Sequence, residues 1–216
     1  FIDLSKAFDT ISFDKLLSKL DNYGIRGNAN KLISSYLSNR YQYVSVLGEE
    51  SDKLPVLFGV PQGSCLGPLL FIIYINDLFR TTDSGKFVLF ADDTNIFVAH
   101  ENTEKLYEKA NQILNLAQLY MKCNLLHINI KKCCYIHFKP SRSENETNHD
   151  SNEHVLTINN VVIKQVKQAK FLGVIIDEQL KWNAHLQSLN SKLKCEIGII
   201  CRIRHVIPES LHRELY

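Results

Sequence analysis

Two adjacent acidic residues between two apolar segments constrain the fold more than any other feature of this sequence. Asp92 and Asp93 lie between residues 87–90 (FVLF) and 96–98 (IFV), which predicts two short strands joined by a tight turn. Like charges so close repel each other, and burial between apolar strands raises that cost. A bound divalent cation would relieve it, whereas a solvent-exposed Asp-Asp turn needs no ligand. Both interpretations are open on this pattern alone.

A third acid in an apolar setting lies at the start of the chain. Asp3 stands between Ile2 and Leu4, as a carboxylate in a short strand, with an edge-strand acid or a helix cap as alternatives. Asp9 lies where this strand gives way to a helix, and helix capping accounts for it. Nucleotide transfer to a 3′-hydroxyl uses two Mg²⁺ ions about 3.5–4 Å apart, and Mg²⁺ prefers hard oxygen ligands. Acids in separate strands are therefore candidate metal ligands if folding brings them together.

A glycine-punctuated segment at residues 59–68 (GVPQGSCLGP) precedes a strongly apolar stretch. Its glycines permit close approach of the backbone to a neighbour, and Gln62 can hydrogen-bond a base, a sugar or a template strand. Pro68 has a favourable first-turn position for a helix with the sequence LLFIIYINDLF. Because that helix is apolar on nearly all sides, we expect it to be buried.

Periodicity along the rest of the chain predicts an α+β body to about residue 170, followed by a small helical appendage. The predicted helices cover residues 13–20 with Gly24 as C-cap, 32–37, 103–123, and most of the chain from Trp182. The predicted strands are residues 41–47, 133–138 and 171–176, with a hairpin over 155–163 that turns at Asn159-Asn160, and polar segments at 48–52 and 140–153 are predicted as turn and loop.

Composition sets looser limits. With 216 residues, of which 45% are hydrophobic and 22% charged, the chain can bury a real core, but a net charge of +2 does not by itself indicate a nucleic-acid binder. The six cysteines form no CxxC pair, which favours a reducing intracellular setting over a disulfide framework. A zinc cluster of Cys195, Cys201, His205 and His212 has no standard spacing, and buried helix cysteines are the simpler interpretation. The longest apolar run, residues 69–75, is too short for a membrane span.

Taken in order, five segments resemble the motifs of reverse transcriptases. FIDLSKAFDTI, GVPQGSCLGPLLFIIYINDL and FADDTNIF are similar to motifs A, B and C, LHINIKKCCYIHF to motif D, and KFLGVIID to motif E, the primer grip. The sequences of these motifs are most similar to those of non-LTR (LINE-like) retrotransposons of the jockey group. The C-terminal stretch of the chain resembles the thumb of the same family. The resemblance implies an antiparallel palm sheet backed by helices over residues 1–170, and a primer grip with the start of a helical thumb over 171–216.

The resemblance also implies a role for particular residues. Asp3, Asp92 and Asp93 would hold two Mg²⁺ ions, with Mn²⁺ as a substitute, and Lys132, or its neighbour Lys131, would protonate the leaving pyrophosphate. The residues expected to contact the nucleotide are Ala7, Phe8, Gln62 and Gly63, with Phe8 as a steric gate against a 2′-hydroxyl, and those expected to contact the primer are Ala91, Phe171, Leu172 and Gly173. The implied partners are an RNA template, a DNA primer and dNTPs, without a membrane, in the nucleus and cytoplasm.

Three alternatives remain beside this interpretation. An RNA-dependent RNA polymerase shares the palm, but it usually has Gly-Asp-Asp where this chain has Ala91, and a polar residue in place of Phe8. Group II intron maturases are closer relatives with a different thumb. A decayed, non-enzymatic remnant would keep the fold without activity. The family's fingers, which precede motif A, are not in this sequence, which reads as a piece of a longer protein, so we expect the chain alone to lack full activity.

Overall fold

The computed structural model describes residues 1–138 and 154–203, and within them it is an α+β structure, as the sequence predicts. The helices are α1 (Phe13–Asn22), α2 (Gly27–Leu37), α3 (Leu66–Ile75), α4 (Thr103–Cys123) and α5 (Asn183–Ile203), with 3₁₀ segments at Ala7–Asp9 and Asn76–Thr81. The strands are β1 (Leu4–Ser5), β2 (Tyr41–Gln42), β3 (Ser45–Val46), β4 (Glu49–Glu50), β5 (Leu54–Pro55), β6 (Lys86–Phe90), β7 (Asp93–Phe97), β8 (His127–Ile128), β9 (Cys134–Tyr135), β10 (Thr157–Ile158), β11 (Val161–Val162), β12 (Lys164–Gln165), β13 (Gln168–Phe171) and β14 (Val174–Asp177).

The strands pair mostly as short antiparallel hairpins. The pairs are β2 with β5, β3 with β4, β6 with β7, β10 with β11, β13 with β14, and β1 with β8, while β9 pairs with β12. An isolated antiparallel bridge joins Ile2 to Thr94 of β7. Residues 2–5 therefore contact the β6–β7 hairpin through this single bridge and β8 through strand β1.

The hydrophobic core lies between α1, α3 and α4. Leu16 and Leu20 of α1 and Phe71 of α3 are fully buried, and Met121 of α4 is 1% exposed. The buried positions of each helix recur every three or four residues, so each helix packs one apolar stripe against the core. Burying a Leu or Phe side chain of this size contributes roughly 1.5–3 kcal/mol relative to leaving it in water.

Side-chain hydrogen bonds cap the first turns of α1 and α4, and Asp9 is not one of the capping residues. The side-chain oxygen of Ser12 accepts a hydrogen bond from the backbone N–H of Lys15 at 3.5 Å and caps α1, and Asn102 caps α4 in the same way through Lys105 at 3.0 Å. Asp9 lies before the cap, in the 3₁₀ segment. Helix capping, the role inferred for Asp9 from sequence, therefore belongs to Ser12.

Several predicted elements differ from the structure. The predicted strand over 41–47 is two strands, β2 and β3, and the predicted turn at 48–52 contains β4. The predicted strand over 171–176 is instead a hairpin, because Leu172-Gly173 turns between β13 and β14. The helix expected to be buried all round has an exposed stripe, with Leu66 41%, Leu69 51% and Ile72 48% exposed.

The described residues divide into two compact units. The first comprises Phe1–Cys134 with the described part of residues 150–164, and the second comprises the described parts of residues 135–149 and 165–216. In the second unit α5 packs on β14, and Asp177 accepts backbone N–H bonds from Lys181 and Trp182 at 3.1 and 2.9 Å. Hydrogen bonds from the backbone, above all that of Lys181, lower the pKa of Asp177. The predicted palm and thumb boundaries remain predictions.

Across residues 1–138 and 154–203 no helix is both long and apolar enough to traverse a bilayer. The six cysteines are free thiols. The two histidines of the zinc alternative, His205 and His212, lie outside the described residues.

A charged hydrogen-bond network, not predicted from the sequence, ties α1, α3 and α4 together. Lys19 on α1 donates to Asp77 Oδ1 and to the carbonyl of Tyr74, both at 2.6 Å. The hydroxyl of Tyr120 on α4 donates to Asp77 Oδ1 at 2.5 Å. Burial lowers the pKa of Lys19 and raises that of Tyr120. Burial alone would raise the pKa of Asp77, but hydrogen bonds from Lys19 and Tyr120 outweigh it and hold that pKa below its usual value.

Removing the carboxylate of this network should destabilise the fold. Asp77→Ala leaves the ammonium of Lys19, whose side chain is 14% exposed, without its anion. We expect the free energy of unfolding to fall by about 1–2 kcal/mol at pH 7 in urea denaturation, toward the lower end for charged hydrogen bonds because Asp77 is itself 36% exposed. The loss should begin to shrink as the pH falls below about 4, where Asp77 of the unfolded chain takes up a proton, and should vanish only below the lower pKa of the native carboxylate.

The matched control is Asp21→Ala, a change of an acid on α1, the helix that carries Lys19. Asp21 pairs with Arg26 at 3.7 Å, and both side chains are more than half exposed. An exposed pair of this kind contributes at most about 1 kcal/mol. Equal losses of stability in the two variants would contradict a special role for the Asp77 network.

Candidate active site

The Asp-Asp pair lies at the tip of the β6–β7 hairpin. Phe90 pairs with Asp93, so Ala91 and Asp92 form a two-residue turn. Ala91 has a φ of 49°, a backbone conformation that glycine usually supplies in such turns. Both aspartates are exposed. The charge repulsion between them is therefore screened by water, and the burial cost expected from the flanking apolar segments does not arise at the tip.

The bridge between Ile2 and Thr94 sets which residues face each other. Ile2 and Thr94 exchange backbone hydrogen bonds of 2.8 and 3.3 Å. The bridge is isolated, so the two segments are joined at this one pair. It brings the segment that carries Asp3 against the hairpin that carries Asp93, with Asp92 the neighbouring residue at the turn.

Burial shows that these acids share the open face of the sheet. Ile2 and Leu4 are each 5% exposed and Thr94 is 1% exposed, so these three side chains point to the core. Side chains alternate along a strand, which turns Asp3 and Asp93 to the opposite face. Asp3 is half-buried there and Asp93 is exposed.

Lys132 approaches Asp3 from the side of β8. Asn129 follows β8, and its N–H donates to the carbonyl of Asp3 at 2.8 Å. The chain then turns, with Lys132 N–H donating to the carbonyl of Asn129 at 3.0 Å. This turn places Lys132 Nζ 3.7 Å from Asp3 Oδ2. The Lys132 side chain is 69% exposed, and its positive charge partly offsets the negative charge of the acids.

The glycine-rich segment packs directly on the residues that follow Asp3. Val60 N–H donates to the carbonyl of Phe8 at 2.8 Å, and Gly59 N–H donates to that of Ile11 at 2.8 Å. Gly59 has a φ of +88°, and a Cβ there would lie 2.8 Å from Asp9 Cα. Only glycine combines that φ with so close a contact. The segment is thereby fixed to the 3₁₀ turn.

The predicted nucleotide-contacting residues lie on both sides of this contact. Ala7 is 4% exposed, while Phe8 is half-buried, with its ring stacked on Phe71 at a centroid distance of 4.6 Å and an interplanar angle of 30°. Gln62 Nε2 donates to Asp9 Oδ1 at 2.9 Å. Gly63, with a φ of +78°, is exposed. Phe8 is thus held by packing against a fully buried ring.

The predicted primer-contacting residues outside the β6–β7 turn belong to the second unit. Phe171 pairs with Val174 across the β13–β14 hairpin. Leu172 and Gly173, with φ values of 46° and 87°, form its turn. Two central residues with positive φ are typical of a type I′ turn, where leucine is unusual. The turn exposes 46% of the Leu172 side chain to water.

The donor chemistry of the acidic group fits Mg²⁺. Carboxylate oxygens are the hard ligands that this ion takes, and rigid strands carry two of them. Within residues 1–138 and 154–203, however, no three His, Cys, Asp or Glu side chains stand close enough together to hold a metal ion. Asp3, Asp92 and Asp93 are therefore suitable in chemical type but are not gathered into a metal-binding group, and the metal assignment remains a prediction.

Two polar side chains next to the Asp-Asp turn are buried without a partner among the described residues. They are Thr94 through Oγ1 and Asn95 through Nδ2, with Asn95 4% exposed. An unpaired buried polar group costs about 1–3 kcal/mol. Sequence reasoning missed both, although two polar residues within an apolar strand are the signal that would have indicated them.

Replacing the unpaired hydroxyl by a methyl group should stabilise the protein. Thr94→Val keeps the shape of the side chain and removes the unsatisfied oxygen, so we expect a gain of about 1 kcal/mol in the free energy of unfolding, measured by urea denaturation. Thr81→Val is the control, because the Thr81 hydroxyl donates to the carbonyl of Leu78 at 2.8 Å. That variant should lose stability. A loss in Thr94→Val of similar size would show that its hydroxyl is satisfied.

The family described as reverse transcriptase (RNA-dependent DNA polymerase) matches residues 1–176. The chain therefore belongs to the reverse transcriptase family.

Its curated relatives are polymerases of mobile elements. The chain is 24% identical over 205 residues to the "RNA-directed DNA polymerase from mobile element jockey" of Drosophila melanogaster, covering 92% of this chain and 21% of that protein. It is 28% identical over 201 residues to the "Probable RNA-directed DNA polymerase from transposon BS" of the same species, covering 87% and 21%. It is 27% identical over 212 residues to the "Retrovirus-related Pol polyprotein from type-1 retrotransposable element R1" of Bradysia coprophila, covering 97% and 20%. The predicted resemblance to jockey-type elements is confirmed, and the chain spans about a fifth of these relatives.

Proposed function

We propose that this chain is the catalytic part of an RNA-directed DNA polymerase, which adds dNTPs to the 3′-hydroxyl of a DNA primer on an RNA template. The observation that carries the proposal is the bridge between Ile2 and Thr94, which brings the segment of Asp3 against the hairpin of Asp92 and Asp93, in a chain of the reverse transcriptase family. Acids gathered in one region repel one another, which costs stability. Nothing in the packing of the core requires that cost.

Each group on this face has a part in the proposed reaction. Asp3, Asp92 and Asp93 would hold two Mg²⁺ ions, or Mn²⁺ in their place. The chemistry that such a pair supplies is activation of the attacking hydroxyl and stabilisation of the leaving oxygen. Lys132 would hold a proton at Nζ and give it to the leaving pyrophosphate. Ala91, at the turn, would pack near the primer end.

The glycine-rich segment and the 3₁₀ turn would form the nucleotide side of the site. Ala7 would lie along the triphosphate, Gln62 and Gly63 would contact the nucleotide and template, and Phe8 would lie under the sugar. In the second unit, the turn Phe171-Leu172-Gly173 would grip the primer. These contacts orient the substrates, which is most of what a protein contributes to phosphoryl transfer.

Primer extension tests the proposal as a whole. The polypeptide should carry the fingers segment that the family resemblance implies before residue 1, with an RNA template, a labelled DNA primer, dNTPs and Mg²⁺. We expect extension that stops when Mg²⁺ is chelated. Binding of the primer–template without extension would instead support the non-enzymatic remnant.

The acidic residues should be required for activity but not for folding. We expect Asp3→Asn and Asp92→Asn to abolish Mg²⁺-dependent extension. Asp3→Asn should also raise the melting temperature measured without metal, because it removes one charge from a group of three acids that Lys132 only partly offsets. Asp83→Asn, a change of an exposed acid in the turn before β6, is the control. Extension at the normal rate in either active-site variant would show that the acid is not a metal ligand.

Lys132 and Lys131 should differ in their effects. Lys132→Ala should slow nucleotide incorporation roughly 10²–10⁴-fold, the range typical of a general acid, and leave the primer–template Kd nearly unchanged. Lys131→Ala is the matched control, since Lys132 is the one whose Nζ lies 3.7 Å from Asp3. A larger defect in Lys131→Ala would move the role by one residue, and two silent variants would remove it from both.

The choice of deoxynucleotides is expected to depend on Phe8. A ring under the 2′ carbon leaves no room for a hydroxyl, and overpacking costs about 1–3 kcal/mol, which is roughly a tenfold to hundredfold bias. Phe8→Val should raise ribonucleotide incorporation selectively, measured as the ratio of kcat/KM for the two nucleotide types. It also loses its stacking on Phe71, so Phe13→Val serves as a control for stability alone. A ratio unchanged by Phe8→Val would make Phe8 only a core residue.

A further inference from the structure

Asp9 has a partner that its sequence position does not reveal. Ser12 caps α1 in its place, and Asp9 is exposed, so neither the helix nor the core requires its carboxylate. Instead Oδ1 of Asp9 accepts a hydrogen bond from Nε2 of Gln62 at 2.9 Å. The two residues are far apart in the sequence and meet because the glycine-rich segment packs on the 3₁₀ turn.

The backbone of that segment is held without the Asp9 side chain. Main-chain hydrogen bonds from Gly59 to Ile11 and from Val60 to Phe8, each 2.8 Å long, fix its course. Removing the Asp9 carboxylate leaves both of these bonds in place. The contact with Gln62 therefore acts on the orientation of one side chain.

The chemistry of the pair fixes which way the Gln62 amide points. An ionised carboxylate only accepts hydrogen bonds, and of the two ends of a glutamine amide only the NH₂ group donates. Nε2 must therefore face Asp9, and Oε1 is left as an acceptor on the other side of the amide. Without Asp9 the amide can rotate about its last side-chain bond and present either end.

We propose that Asp9 is a positioning residue for Gln62, which holds the amide so that Oε1 accepts a hydrogen bond from an O–H or N–H donor of the incoming deoxynucleotide. The inference rests on the proposed function for the identity of the ligand. A side chain held in one orientation binds the nucleotide equally in the ground and transition states, so its loss raises KM and leaves kcat nearly unchanged.

The contact itself is tested by NMR on the 216-residue chain labelled with ¹⁵N-glutamine. The side-chain NH₂ signals of Gln62 are identified by their loss in Gln62→Ala. They should move in Asp9→Ala and move less in Asp9→Asn, because the Asn amide can still accept through its oxygen but can also turn its NH₂ group toward Gln62. Asp83→Ala, which removes an exposed acid elsewhere, should leave them unchanged. Unmoved signals in Asp9→Ala would overturn the inference.

The function of the contact is tested in the polypeptide with the fingers segment. Asp9→Ala should raise KM for dNTPs roughly threefold to tenfold, the size of one solvent-exposed charged hydrogen bond, with kcat and melting temperature nearly unchanged. Asp9→Asn should give an intermediate KM, because its amide can accept or donate and therefore fixes the orientation of Gln62 only in part. In a Gln62→Ala background, Asp9→Ala should add no further change, because the two residues act through one contact.

The outcomes separate this inference from the proposed function. If the native polypeptide extends primers and Asp9→Ala has native KM, only the positioning role fails. If Asp9→Ala weakens binding of the primer–template and leaves KM for dNTPs unchanged, Gln62 meets the template and the inference is wrong. If the native polypeptide does not extend primers, the proposed function and the nucleotide role of Gln62 fail together, and the NMR comparison still decides whether the contact exists.

Discussion

The candidate site depends on one pair of backbone hydrogen bonds, between Ile2 and Thr94. They bring the first strand of the chain against the hairpin that carries Asp92 and Asp93. Because side chains alternate along a strand, a slip of one residue would turn Asp3 into the core and Ile2 toward water. The register is therefore set by burial of Ile2, Leu4 and Thr94, and the position of the acids follows from it. Hydrophobic packing on one face decides the chemistry available on the other.

Glycine has a similar indirect role on the nucleotide side. Gly59 permits the loop backbone to approach Asp9 Cα more closely than a Cβ would allow. The polar contact between Asp9 and Gln62 forms only because that approach has been made. Backbone contacts place the loop, and the side-chain bond then orients one amide within it. This division explains how an exposed hydrogen bond, weak in itself, can have a defined geometry.

The sequence was a good guide where structure is local. Helices α1 and α4 and the β6–β7 hairpin follow from periodicity and turn residues, and the Asn159-Asn160 turn has both residues at positive φ, at 52° and 61°. The predicted strand over 171–176 failed because the leucine of its turn has no local preference for positive φ. The Asp-Asp pair lies at the hairpin tip, as expected, with Asp92 in the turn and Asp93 as the first residue of β7, but both are exposed, so the expected burial cost does not arise. Contacts between distant segments, such as Asp9 with Gln62, have no signal in one sequence.

Two groups of interacting charges among the described residues are treated in opposite ways, and the difference is informative about function. Lys19, Asp77 and Tyr120 satisfy one another within hydrogen-bond distance and are largely shielded from water. Such a network needs nothing from outside and serves to join helices. Asp3, Asp92 and Asp93 are left in excess over the cation beside them, Lys132, which is 69% exposed and 3.7 Å from Asp3. Selection for stability alone would remove an unbalanced acidic face, since Asn in place of one Asp would relieve the repulsion at little structural cost. An unbalanced group that the fold nevertheless holds in register is what a cation-dependent reaction requires, and the Lys19 network shows that this chain can balance charges where balance is useful.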